Sequence, residues 1–206
     1  FPERFSNLPE YAFPRLRTML DAHKPGAEPV AMTIGEPQHA IPAFVGPILA
    51  AHLNEFGKYP PNEGSPLLLA AISAWLKRRY GADITPDRIM ALNGTREGLF
   101  AACLALCPET KNGKRPVVLM PNPFYQVYAA AALSVGAEPV YVPATAATGF
   151  LPDYAALPAD ILNRAAIAYL CSPANPQGSV ASEGYLSDLL ALAARHGFTL
   201  LSDECY

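Results

Sequence analysis

From about Asp87 onward, short aliphatic runs alternate with stretches whose apolar positions recur at helical spacing. Residues 89–92, 117–120, 139–142, 166–171 and 198–202 read as strands, short and rich in Val, Ile, Leu and Tyr. Helices are predicted over 95–106, over 124–135 and from Ser182 to Gly197. In the second, Phe124, Val127, Tyr128, Ala131 and Val135 fall on one stripe that ends at Gly136. In the third, Ser182 offers a capping hydroxyl, Leu186, Leu189, Leu190 and Ala193 face the sheet, and Arg195 and His196 complement the helix end. Strands and helices alternating in this way predict an α/β fold with a mostly parallel sheet covered by helices.

The first 41 residues break that rhythm. They hold one amphipathic piece, 14–22, followed by a loop rich in Pro and Gly that reaches Pro42. We expect 1–41 to belong to a smaller lobe and 42–206 to form part of a larger domain. Helices are predicted at 42–56 and 66–80, joined by the turn-rich Gly57-Lys58-Tyr59-Pro60-Pro61-Asn62-Glu63-Gly64. The 22 prolines are spread along the chain, so they mark neither a linker nor a low-complexity tract.

Composition narrows the class. With 51% apolar and 16% charged residues the chain can bury a core, which excludes a disordered segment. No apolar run approaches the ~18 residues of a membrane span, so no membrane partner is expected. A net charge of -3 gives no electrostatic reason to expect nucleic acid, which leaves small molecules as partners. Cys103, Cys107, Cys171 and Cys205 form no C-x-x-C pair and have no histidine at metal-ligand spacing, so they read as reduced core thiols and no metal is expected. No basic segment followed by an apolar core opens the chain, which makes the cytoplasm the expected compartment. The chain starts at Phe1 rather than Met and stops just past a predicted strand, so both ends read as limits of a longer protein.

Candidate chemistry gathers where strands end. Asn93-Gly94-Thr95-Arg96 joins a strand to a helix, and the free N–H groups of a helix start make a phosphate cradle, although such turns also contain glycine for structural reasons alone. Pro121-Asn122-Pro123-Phe124-Tyr125 brings aromatic rings to the next strand end, either to stack on a flat ligand or to pack the helix start. Two prolines stiffen Cys171-Ser172-Pro173-Ala174-Asn175-Pro176-Gln177-Gly178, which can hold the Asn175 amide toward a ligand or form an ordinary Asn-Pro turn. Ser202-Asp203-Glu204-Cys205-Tyr206 follows the last run, and open α/β sheets bind ligands just past the carboxyl ends of their strands. Together these four turns suit a flat, phosphorylated heteroaromatic cofactor. Pyridoxal phosphate needs its ring nitrogen protonated, and a partly buried carboxylate such as Asp203 stabilises that charge.

In this order the motifs resemble the amino-terminal half of the fold-type-I, class I/II pyridoxal-phosphate aminotransferases, over essentially the whole chain. The resemblance implies a three-layer α/β/α large domain, pyridoxal 5'-phosphate as cofactor, and transfer of an amino group between an amino acid and a 2-oxo acid. It implies that Gly94, Thr95 and Arg96 hold the phosphate, that Tyr125 stacks on the ring, and that Asn175, Asp203 and Tyr206 hold the pyridine. Ile34-Gly35-Glu36-Pro37 is similar to the family's early glycine loop, which places Gly35 near the substrate carboxylate. Tyr59 heads a Tyr-Pro-x-x-x-Gly segment and would reach the phosphate of a neighbouring subunit, implying a homodimer. Tyr11-x-Phe13-Pro14-x-Leu16-Arg17, Ile34-Gly35-Glu36-Pro37-x-His39, the run Asn122-Pro123-Phe124-Tyr125-Gln126-Val127-Tyr128 and Asp203-Glu204-Cys205-Tyr206 resemble the bacterial succinyldiaminopimelate aminotransferases. That points to N-succinyl-LL-2,6-diaminopimelate and 2-oxoglutarate in lysine biosynthesis. Ala174 and Gln177 depart from the family's usual Asn and Thr, and Tyr125 replaces the tryptophan of some relatives.

The family's Schiff-base lysine and distal arginine would lie beyond Tyr206. Lys24, Lys58, Lys77, Lys111 and Lys114 do not match the lysine's position, so no catalytic residue is assigned within the chain and the 206-residue polypeptide is expected to be inactive. A pyridoxal-phosphate lyase on the same scaffold and a non-catalytic, cofactor-binding regulatory domain remain alternatives, as does a plain α/β domain with coincidental turns.

Overall fold

A computed structural model of the protein describes residues 2–6, 8, 10–30 and 39–206. Gly35 and its neighbours Ile34, Glu36 and Pro37 lie outside the described residues. In chain order the helices are α1 (Ala12–Asp21), α2 (Val45–Ala51), α3 (Pro66–Tyr80), α4 (Thr95–Leu106), α5 (Gln126–Ser134), α6 (Ala159–Arg164) and α7 (Glu183–His196). The strands are β1 (Val117–Asn122), β2 (Glu138–Pro143), β3 (Ala165–Cys171) and β4 (Thr199–Asp203).

The four strands form one parallel sheet in the order β2-β1-β3-β4. Chain order runs outward from β1 to β2 on one side and from β3 to β4 on the other, so direction reverses between β1 and β3. A crevice opens at such a switch point, past the carboxyl ends of the two strands. All seven residues of β3 and the first five of β1 are buried. Strands covered on both faces lose the apolar-polar alternation of a half-exposed sheet, which accounts for their continuous hydrophobic runs. Side chains still alternate between layers. Leu119, Ala168 and Leu170 join Leu189, Leu192 and Phe198 in one core. Val118, Met120, Ile167 and Tyr169 join Cys103, Tyr128 and Ala131 in the other. The architecture is therefore α/β, with helices on both faces of a parallel sheet.

Local chemistry sets the helix limits. Ser65 accepts a hydrogen bond from the Leu68 N–H, and Pro66 occupies a first-turn position whose missing N–H costs nothing, which starts α3 where the pattern predicts. Ser182 caps α7 in the same way, through the Tyr185 N–H. The α7 stripe differs by one position from expectation. Leu189, Leu192 and Ala193 are buried, whereas Leu190 is 58% exposed, because the buried stripe is centred on Leu189, whose neighbours at three and four positions are Tyr185, Leu186, Leu192 and Ala193. The helix expected at 42–56 divides at His52 into α2 and a 3-10 turn, Leu53–Gly57; the His52 N–H reaches only three residues back, to Leu49.

Residues 89–92 do not form a strand. The Ala91 N–H bonds to Glu63 O at 2.8 Å instead of entering a ladder, and Met90 and Leu92 are exposed. Gly64 permits this approach: its φ is +107°, and a Cβ there would lie 2.8 Å from that of Ala91. Among the thiols, all free, Cys103 and Cys171 are buried and Cys107 half-buried, but Cys205 is exposed and is not a core residue.

By contact density the chain forms two compact units, Asn93–Tyr206 with Phe1–Tyr11, and Ala12–Leu92. The first contains the sheet and both cores. In the second, α1, α2 and α3 bury no described side chain. Among the described residues, no helix is long and apolar enough to cross a membrane.

Candidate cofactor site

Four segments of the sheet unit converge past the strand ends. Gly94 precedes α4 with φ 115° and ψ 149°, a conformation strained for any residue with a side chain. It turns the chain so that the first N–H groups of α4, which have no intrahelical acceptor, open the helix at Thr95. Thr95 Oγ1 lies 3.2 Å from Cys205 Sγ, joining this turn to the segment after β4. The Arg96 Nε donates to the Tyr125 hydroxyl at 2.6 Å, and its guanidinium lies 5.8 Å from the centre of that ring. This hydrogen bond is the main reason the Arg96 cation is held even more firmly than usual.

Tyr125 occupies the cap position of α5 in an extended conformation (φ -80°, ψ 126°), so the helix begins at Gln126 rather than at Phe124. Asp203 ends β4 and is buried, with 7% of its surface exposed. Its Oδ2 accepts a 2.6 Å hydrogen bond from the Tyr128 hydroxyl. The β3 and β4 ends are joined by the Ser172 N–H bonding to Asp203 O at 3.1 Å. Beyond β3 the chain has cis peptide bonds at Ser172-Pro173 and Asn175-Pro176, and the exposed Asn175 donates from Nδ2 to the Tyr206 hydroxyl at 2.6 Å.

Gly94, Thr95, Arg96, Tyr125, Asn175, Asp203 and Tyr206 thus lie on one edge of the sheet unit, linked by these contacts. Tyr59 belongs to the unit Ala12–Leu92, and its side chain is fully exposed. Tyr128 is a functional candidate missing from the sequence-derived set. Its position on the apolar stripe of α5 reads as packing; the available signal was its spacing, one helical turn after Tyr125.

Residues 29–206 match the family described as aminotransferase class I and II. The chain belongs to this family. It is 33% identical over 208 residues to the LL-diaminopimelate aminotransferase of Desulforudis audaxviator, covering 99% of this chain and 52% of the relative. It is 34% identical over 186 residues to the bifunctional aspartate aminotransferase and glutamate/aspartate-prephenate aminotransferase of Petunia hybrida, covering 88% and 37%. A solved aminotransferase from Neisseria meningitidis superposes with a TM-score of 0.91 at 34% identity, covering all of this chain and 53% of that one. The chain spans about half the length of the diaminopimelate aminotransferases it matches. The expected aminotransferase family is thus matched, and these relatives are named for LL-diaminopimelate rather than for its N-succinyl derivative.

The family is pyridoxal-phosphate dependent, and the donor set here fits that cofactor. A phosphate needs N–H donors and a cation, which the α4 start and Arg96 offer. A protonated pyridine needs a carboxylate kept from water, and buried Asp203 is one. Tyr128 occupies part of its acceptor capacity; a carboxylate has lone pairs for further donors. A ring hydroxyl needs neighbours that both donate and accept, as the Asn175 amide and Tyr206 hydroxyl do.

Proposed function

We propose that the intact protein is an aminotransferase that binds pyridoxal 5'-phosphate and moves an amino group between a diaminopimelate-type amino acid and 2-oxoglutarate in lysine biosynthesis. The observation that carries this reading is the buried Asp203 carboxylate on the same sheet edge as the α4 helix start, Tyr125, Asn175 and Tyr206. When bound, the cofactor supplies an electron sink. The α4 N–H groups and Arg96 bind its phosphate, and Tyr125 orients its ring. Asp203 holds a proton at the ring nitrogen, and Asn175 with Tyr206 holds the ring hydroxyl. The group that moves the substrate proton is the lysine that the family resemblance puts beyond Tyr206. Lys111 is committed elsewhere, donating to the backbone oxygens of Ala165 and Gly197.

Two donors fit the amino-acid side. The curated relatives are named for LL-diaminopimelate, whereas the motifs around Tyr11, Gly35 and 122–128 favour its N-succinyl derivative. We further propose that 1–41 belongs to the smaller lobe, with Gly35 near the substrate carboxylate, and that the enzyme is a cytoplasmic homodimer in which Tyr59 reaches the phosphate across subunits. The full exposure of Tyr59, and the exposure of apolar residues such as Phe56 and Leu67, supports such an assembly.

Glutamate formation from 2-oxoglutarate and either donor, catalysed by the intact protein loaded with pyridoxal phosphate, is the deciding assay. We expect turnover with one donor in clear preference, and none from the 206-residue polypeptide. Turnover by that polypeptide would remove the lysine assignment. Inactivity of the intact, loaded protein with both donors would remove the substrate reading, and sedimentation of an active monomer would remove the shared site.

A further inference from the structure

Tyr128 joins more parts of the site than any residue assigned a role above. It is 1% exposed. Its ring stacks on that of Tyr169, with centres 4.2 Å apart and planes 13° from parallel. It also meets the Tyr125 ring edge-on at 5.8 Å and 89°. Its hydroxyl donates to Asp203 Oδ2. The first turn of α5 sets this arrangement: the Tyr128 N–H bonds to Tyr125 O at 3.0 Å, so the two tyrosines are held in fixed relation. Burial, reinforced by the bond to Asp203, pushes the Tyr128 hydroxyl far above the ordinary tyrosine range, so it stays protonated and acts as a donor.

We infer that Tyr128 is a positioning residue of the cofactor site: its hydroxyl aims the Asp203 carboxylate at the ring nitrogen, and its ring edge sets the plane of Tyr125, the stacking ring. The inference rests on the reading of Asp203 and Tyr125 as cofactor contacts. A carboxylate at a strand end can rotate about its own side-chain bonds; fixing one oxygen removes that freedom before the cofactor arrives. Tyr169 backs the other side of the Tyr128 ring, and its own hydroxyl is tied to Leu99 O at 2.8 Å, which makes the support rigid.

The test uses the intact protein titrated with pyridoxal phosphate and followed by visible absorption. Tyr128→Phe keeps the ring contacts and deletes only the hydroxyl. We expect affinity to fall roughly tenfold, the cost of one hydrogen bond to a charged group, and the bound band to shift as the ring nitrogen loses its aligned partner. Tyr154→Phe is the control. That buried hydroxyl bonds to Tyr169 O at 2.5 Å, away from the carboxylate, so its loss should lower thermal stability while leaving affinity and band unchanged. A Tyr128→Phe protein with parental affinity and band would overturn the inference, as would one that only lost stability like the control. The double variant guards against misreading a general weakening. In an Asp203→Asn background, Tyr128→Phe should cause little further loss, and a full additional tenfold loss would show that Tyr128 does not act through Asp203. If the parent protein gives no cofactor band, the underlying cofactor reading fails and the inference falls with it.

Discussion

The sheet unit and the helices of Ala12–Leu92 use apolar residues to opposite effect. Every residue of β3 is buried, whereas α3, fifteen residues long and carrying Leu67, Leu68 and Trp75, buries none. In the sheet unit β1 and β3 have strands on both sides and helices on both faces, so their apolar runs meet partners brought in from elsewhere in the chain. In α3 the apolar residues keep helical spacing too, but its stripe Leu69, Ile72 and Leu76 is only half-buried while Leu67, Leu68 and Trp75 stay exposed. Periodicity specifies an element; burial requires a second surface.

The sharpest way to break the contrast is to attack the buried charge. Asp203→Ala in the intact protein should slow a single half-reaction with amino-acid substrate by on the order of a thousandfold, because a fixed, water-excluded charge is lost. A rate within tenfold of the parent would detach the chemistry from the sheet unit. Next come the two kinds of leucine. In the 206-residue chain, Leu170→Ala should cost about 2–5 kcal/mol in urea unfolding, through lost burial and the cavity left behind. Leu67→Ala, at a site 83% exposed, should cost less than about 0.5 kcal/mol. Equal costs would erase the distinction. A smaller effect is expected from Tyr59→Phe, which should weaken cofactor binding roughly tenfold in the intact assembly by removing one hydrogen bond to phosphate. The same substitution should leave any cofactor binding by the 206-residue chain unchanged, and a loss there would contradict a contribution across subunits.

The weakest effects belong to surface charge. The Asp160 carboxyl is held below its ordinary range, first by the Lys114 hydrogen bond at 2.9 Å and then by that cation's charge. A depressed folded-state value stabilises the protein above the unfolded carboxylate range near about pH 4 and loses that contribution as pH falls through the folded value. Asp160→Asn should therefore flatten the acid side of the stability profile slightly, and salt should shrink the difference. Urea midpoints measured across acid pH, with and without salt, check both signs.

Much of the sheet unit could be read from residue order. The limits of α3 and α4 and all four observed strands follow from caps, glycines and β-rich runs, which act within a few residues. The failures share one cause. Residues 89–92 have strand composition, but a strand also needs a neighbour, and Ala91 finds Glu63 instead. Leu190 looks like a core residue until packing against the sheet centres the buried stripe of α7 on Leu189 and takes in Leu192 instead. Tyr128 could be placed on a stripe, but not seen to reach a carboxylate 75 positions away.

The sequence alone therefore determined the α/β class, the order of the elements and the residue types that end each strand, because turns, caps and periodicity are local. Tertiary structure decided which strand ends meet. The order β2-β1-β3-β4 puts the reversal of chain order between β1 and β3, where open sheets bind ligands, and packing of α5 onto the sheet buries Asp203 beside Tyr128. Burial and long-range hydrogen bonds depend on partners distant in the chain, and no local pattern specifies those.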